Sequence, residues 1–116
     1  MKLAQSDIRT MAIQVGFSES AADVISSIAM AESGGDTEAV GDRHLGVSCG
    51  LTQVNLRWHP EWNKLGVDIC DPATNLRAAY QISNNGTDFK PWSTYSSGAY
   101  KKFMPTAPVD PDATQG

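Results

Sequence analysis

Apolar residues recur at helical spacing in several stretches of this chain and lose that spacing between them. Ile8, Met11, Ala12 and Val15 stand at i, i+3, i+4 and i+7, which predicts a first helix capped by Ser6 and stopped by Gly16. Ser18, with Glu19 behind it, marks a second helix start, and Ile25, Ile28 and Ala29 carry its apolar stripe on to position 32. At that position stands Glu32, a charge where the stripe calls for an apolar side chain. Gly34 and Gly35 follow at once and offer the left-handed conformation that ends a helix. Asp71-Pro72 predicts a third start, with Asp71 as cap and Pro72 in the first turn. Leu76, Ala79 and Tyr80 then share one face, and Asn85-Gly86 is the expected stop. A last short helix is expected to carry Tyr100, Phe103 and Met104.

From Asp36 to Gly50 no helical period survives, and the segment reads as an irregular lobe or a short hairpin, the kind of element that lines clefts. Leu51–Leu56 reads as a short helix, and Pro60 suits a first helical turn within 58–64. Phe89–Tyr100 is dense in aromatic rings and hydroxyls, which suits either core closure or the stacking of sugar rings. Beyond Met104 the chain is proline-rich, small and polar. Residues 1–104 therefore read as one domain and 105–116 as a linker or frayed end.

Composition narrows the choice of partners. A chain of 116 residues builds a single core. Nine Lys and Arg against thirteen Asp and Glu, with no basic run, argue against nucleic acid. No apolar run approaches bilayer length, and Met1–Thr10 lacks the basic start and unbroken apolar segment of a secretory signal. The expectation is a soluble domain, either not exported by that route or cut from something larger. Cys49 and Cys70 are a disulfide or a pair of reduced core thiols. A bridge would close a loop of about twenty residues, worth on the order of 3 kcal/mol by loop-closure entropy, and would fit a life outside the cytosol. His44 and His59 with the two cysteines match the ligand types of a zinc site. These residues are scattered singly rather than in close pairs, however, so neither metal nor cofactor is expected.

Glu32 is the residue with chemistry to offer. Against an apolar wall its ionised form is disfavoured, so that near an opening it could hold a proton and donate it as a general acid. The plain alternative is a helix-end glutamate that simply reaches water.

These residues lie in segments whose order resembles that of the lytic transglycosylases sharing the lysozyme fold, over most of the chain between Ile25 and Tyr100. A-M-A-E-S-G-G, Ala29–Gly35, resembles that family's Glu-Ser motif. S-C-G-L-T-Q-V-N, Ser48–Asn55, is similar to its Gly-Leu-x-Gln motif, and D-P-A-T-N-L-R-A-A, Asp71–Ala79, to its Asp-Pro-x-x-Asn-Leu helix start. T-Y-S-S-G, Thr94–Gly98, occupies the place of its Ala-Tyr-Asn-Ala-Gly motif, with Ser96 and Ser97 replacing the Asn and Ala.

The resemblance implies a mainly α, lysozyme-like fold: a compact helical domain with a small irregular or β-hairpin lobe flanking a glycan cleft. It implies Glu32 as acid and then base, Ser48 and Gln53 as cleft residues contacting substrate, and Tyr95 as the hydroxyl that positions the carboxyl or substrate. Tyr80 and Tyr100 are the alternative hydroxyls. The implied reaction is cleavage of the MurNAc-GlcNAc β-1,4 bond of peptidoglycan strands to a 1,6-anhydro product, outside the cytoplasm and without a cofactor. Gly50–Pro60 is similar to the transglycosylases of secretion and conjugation machines, whereas the aromatic C-terminal segment looks more like lysozyme-like domains of phage tail proteins. Either setting would make the chain part of a larger protein, and the missing signal favours the phage. A hydrolytic lysozyme would need a second carboxyl about 5–5.5 Å or about 6.5–9.5 Å from the first, with Asp42 preferred to Asp36 or Glu38. A further reading keeps the fold without activity, as a glycan-binding or structural module.

Overall fold

The computed structural model describes residues 1–41 and 47–105. Helix α1 spans Gln5–Val15 and α2 spans Glu19–Ser33. Between them Gly16, at φ 128°, reverses the chain as expected, and the Phe17 amide returns to the Ala12 carbonyl. Ser18 caps α2 by accepting the Ala21 N–H at 3.2 Å. Ser6, by contrast, does not cap α1. That helix starts two residues earlier, behind Ala4, whose carbonyl takes the Asp7 and Ile8 amides. The early entry follows from the preceding residue, because the Leu3 amide is already fixed on the Gly35 carbonyl at 2.9 Å.

Ile8 and Ala12 of α1 meet Ile25, Ile28 and Ala29 of α2 in a core closed by Leu51, Leu76, Phe89 and Trp92. Each of these aliphatic side chains is fully buried, so apolar area removed from water ties the predicted stripes together. Helix α3, Pro72–Ile82, packs on α1 and contributes Leu76 and Ala79. Asp71 caps it through the Thr74 N–H at 3.1 Å. It ends at Ile82, ahead of the expected Asn85-Gly86 stop, because the left-handed run begins at Asn84 and continues through Asn85 and Gly86.

The expected hairpin lobe is a three-stranded antiparallel sheet ordered β1 (Val40–Gly41), β2 (Ser48–Cys49), β3 (Val54–Asn55). Val40 faces Cys49, and Cys49 in turn faces Val54. The third strand replaces the helix expected over Leu51–Leu56. Gly50 at φ 82° and Gln53 at φ 52° reverse the chain there, and Cys49 and Val54 join Ile69 and Ala78 in a second, smaller core. A disulfide between Cys49 and Cys70 ties β2 to the approach to α3. The last elements are α4, Ser93–Ser96, and a 3-10 turn over Ala99–Phe103 where a short helix was expected. That turn packs on α2, and its Phe103 carbonyl accepts from Gln5 Nε2 at 2.8 Å. The fold is thus mainly helical with one small sheet. Among the described residues no helix is long and apolar enough to cross a membrane.

Candidate active site

Glu32 is the penultimate residue of α2, partly buried, on the stripe whose earlier members Ile25, Ile28 and Ala29 are wholly buried. The helix end that presents it is pinned. Gly34, at φ 65°, returns its amide to the Met30 carbonyl at 2.9 Å, and the Ser33 hydroxyl contacts the carbonyls of Ala29 at 2.9 Å and Leu51 at 2.8 Å. A Cβ on Gly35 would stand 2.5 Å from the Leu3 carbonyl oxygen, so the chain leaves the helix through a gap only glycine fits.

The Leu51 contact leads into the turn Gly50–Gln53, where several elements converge. Asn75 of α3 is buried and uses both ends of its amide. Its Oδ1 accepts the Thr52 N–H at 2.9 Å and the Thr52 hydroxyl at 2.6 Å, while its Nδ2 donates to the Cys49 and Ile69 carbonyls at 2.9 Å each. From the other side the indole Nε1 of Trp92 donates to the Thr52 carbonyl at 2.9 Å. Trp92 immediately precedes α4. Fixing it brings the Thr94 hydroxyl to Glu32 Oε2 at 2.9 Å, across 62 residues of sequence.

A cleft of about 250 Å³ opens beside this contact. Glu32, Ser48, Gln53, Asn55, Trp58, His59, Trp92 and Ser93 are among its lining residues, and Glu32 is the one carboxylate among those described. Ser48 is buried in β2, between β1 and β3. Gln53 holds its left-handed backbone by donating from Nε2 to the carbonyls of Ala39 at 2.8 Å and Gly50 at 2.9 Å. Its amide hydrogens are thereby committed to shaping the lobe, and Oε1 is the atom it can offer a ligand.

The structure thus brings Glu32, Ser48 and Gln53 to one cleft. Tyr95 is not among the described residues that line it, and its ring stacks on Tyr100 at 4.9 Å between centroids and leans on Phe89 at 5.7 Å. Tyr80 meets Phe17 edge-on at 5.1 Å. The hydroxyl on the carboxylate belongs to Thr94, one position before the tyrosine that the motif singles out. Sequence reading missed it because no local pattern distinguishes this hydroxyl from those around it. Asp42 and His44 lie outside the described residues. Asp36 accepts the Glu38 N–H at 2.9 Å, and that backbone donor holds its carboxyl below the usual carboxylate range. Neither Asp36 nor Glu38 is among the cleft residues. Cys49 and Cys70 are bonded to each other, so the zinc alternative loses both thiolates.

A partly buried carboxyl with a hydroxyl donor on one oxygen, at the edge of a polar cleft, can exchange a proton with a bound ligand. A family model described as a lysozyme-like domain matches residues 9–94. Comparison with curated proteins and with solved structures finds no match.

Proposed function

The chain belongs to the lysozyme-like domain family, whose members in general are enzymes acting on peptidoglycan, and from that premise we propose that it is a lytic transglycosylase with Glu32 as its single acid and base. In this reading Glu32 protonates the glycosidic oxygen between MurNAc and GlcNAc as that bond breaks. The substrate's own N-acetyl group stabilises the oxocarbenium ion. The carboxylate left behind then takes the proton of the C6 hydroxyl, whose oxygen closes on C1 to give the 1,6-anhydro end. Each proton that Glu32 gives is returned, so no second carboxyl is required.

The observation that carries the reading is the Thr94 to Glu32 hydrogen bond beside the cleft that Glu32 lines. It fixes the direction of one carboxylate oxygen at the edge of the cleft where the glycosidic bond would lie. Ser48 and Gln53 are taken as substrate contacts, and Tyr95 as a residue that positions α4 through its stack with Phe89 and Tyr100. We take residues 1–104 as the catalytic domain. The setting we infer is extracytoplasmic, within a phage tail or secretion machine, and the disulfide supports the first part of that inference.

The test is digestion of purified peptidoglycan followed by mass spectrometry of the released fragments. Anhydro-muramic ends, one water lighter than hydrolysed ends, are expected from the wild-type chain. Glu32→Gln is expected to slow their release about a thousandfold while melting at the same temperature. Equal rates for the two chains would refute the assignment of Glu32. Release of hydrolysed ends alone would make the enzyme a lysozyme and bring Asp42 forward as the second carboxylate.

A further inference from the structure

Trp58 is a large aromatic residue that the cleft leaves in water. It is 69% exposed, whereas Trp92, in the same cleft, is 6% exposed and anchored by its indole N–H. A singly exposed apolar residue needs no explanation by itself, but this one is held in place. The Trp58 and His59 amides both close on the Asn55 carbonyl, at 3.2 and 2.9 Å, and the Arg57 amide closes on Asn55 Oδ1 at 2.9 Å. Asn55 belongs to β3, so the turn that carries the indole is rooted in the sheet. The Arg57 guanidinium lies 5.8 Å from the ring centroid, a cation–π contact on one face of the ring.

We propose that Trp58, backed by Arg57, is the stacking platform for a pyranose ring of an N-acetylhexosamine chain lying in the cleft. The negative face of an aromatic ring attracts the partly positive C–H hydrogens on the flat face of a pyranose. Gln53, Asn55 and Ser93 supply uncharged polar groups along the same cleft, suited to the hydroxyl and acetamide groups at the edge of such a ring. The inference rests on reading the cleft as a glycan site and adds the residue that grips the sugar.

Binding of the β-1,4-linked trimer of N-acetylglucosamine to the full chain carrying Glu32→Gln tests it, read by calorimetry and by tryptophan fluorescence. The trimer is expected to shift the emission to the blue. Adding Trp58→Ala should weaken binding about tenfold and remove most of that shift, while Trp58→Phe should recover part of the affinity. The Phe variant also guards against loss of fold, which circular dichroism and melting temperature will report. Unchanged affinity in Trp58→Ala overturns the proposal, as does absence of trimer binding by the Glu32→Gln chain, or binding of a free stem-type peptide in place of the trimer. Peptidoglycan digestion by the wild-type chain separates the two readings. Trp58-dependent trimer binding without cleavage leaves the platform standing and removes the transglycosylase, whereas cleavage with Trp58-independent binding does the reverse.

Discussion

A hydroxyl donated to a carboxylate fixes its direction, and Thr94 does so for Glu32. Thr94→Val keeps the shape and removes the donor. We expect its kcat to fall about tenfold with little change in KM, and Thr94→Ser to recover most of that loss. An equal loss in Thr94→Ser would reduce Thr94 to a packing role. At this scale the sequence was half legible. Glu32 stood out because its neighbours on the helix stripe are apolar, a local signal. Thr94 did not, because its meaning depends on a helix end 62 residues away.

At the scale of elements, the site depends on the turn Gly50–Gln53 and on Asn75 beneath it. Asn75→Ala would strand the Thr52 amide and the Cys49 and Ile69 carbonyls in a buried place. We expect a loss of about 3 kcal/mol, read from the denaturant midpoint at unchanged slope. Gly50→Ala should behave similarly, since its φ is 82° and a Cβ would stand 2.6 Å from Asn75 Nδ2. Helices α1, α2 and α3 could be read in advance because apolar spacing, the Ser18 and Asp71 caps and the glycine stops are all local. The third strand could not. Val54 and Asn55 pair with β2 only because Gln53 accepts a left-handed backbone, and it does so while its side chain reaches Ala39 and Gly50. No sequence window contains that arrangement.

For the molecule as a whole, the Cys49–Cys70 bridge spans 21 positions and joins the cleft strand to the helical body. Reduction, or replacement of both cysteines by serine, should cost about 3 kcal/mol and lower the melting temperature by on the order of 10 °C. Cleavage should weaken alongside, since Ser48 sits next to the bridge. The chain up to Met104 is part of this body. The Phe103 carbonyl accepts from Gln5, and Met104 Sδ accepts from the Ser27 hydroxyl at 3.3 Å. A chain ending at Met104 should therefore melt within about 2 °C of the full one, while a chain ending at Gly98 should melt well below it. Equal melting of both shortened chains would place the domain boundary earlier than we propose.

The sequence by itself determined the helices, the charge on the α2 stripe, the glycine exit behind it and a family order of motifs, because each of these is written in residues close together along the chain. Which hydroxyl meets Glu32, which carbonyls hold the Gln53 amide and where the three-stranded sheet closes were decided only by tertiary structure. Those features depend on hydrogen bonds that Asn75 accepts and that Trp92 and Ser33 donate, meeting at one turn from distant parts of the chain, and such a meeting has no period or spacing to read.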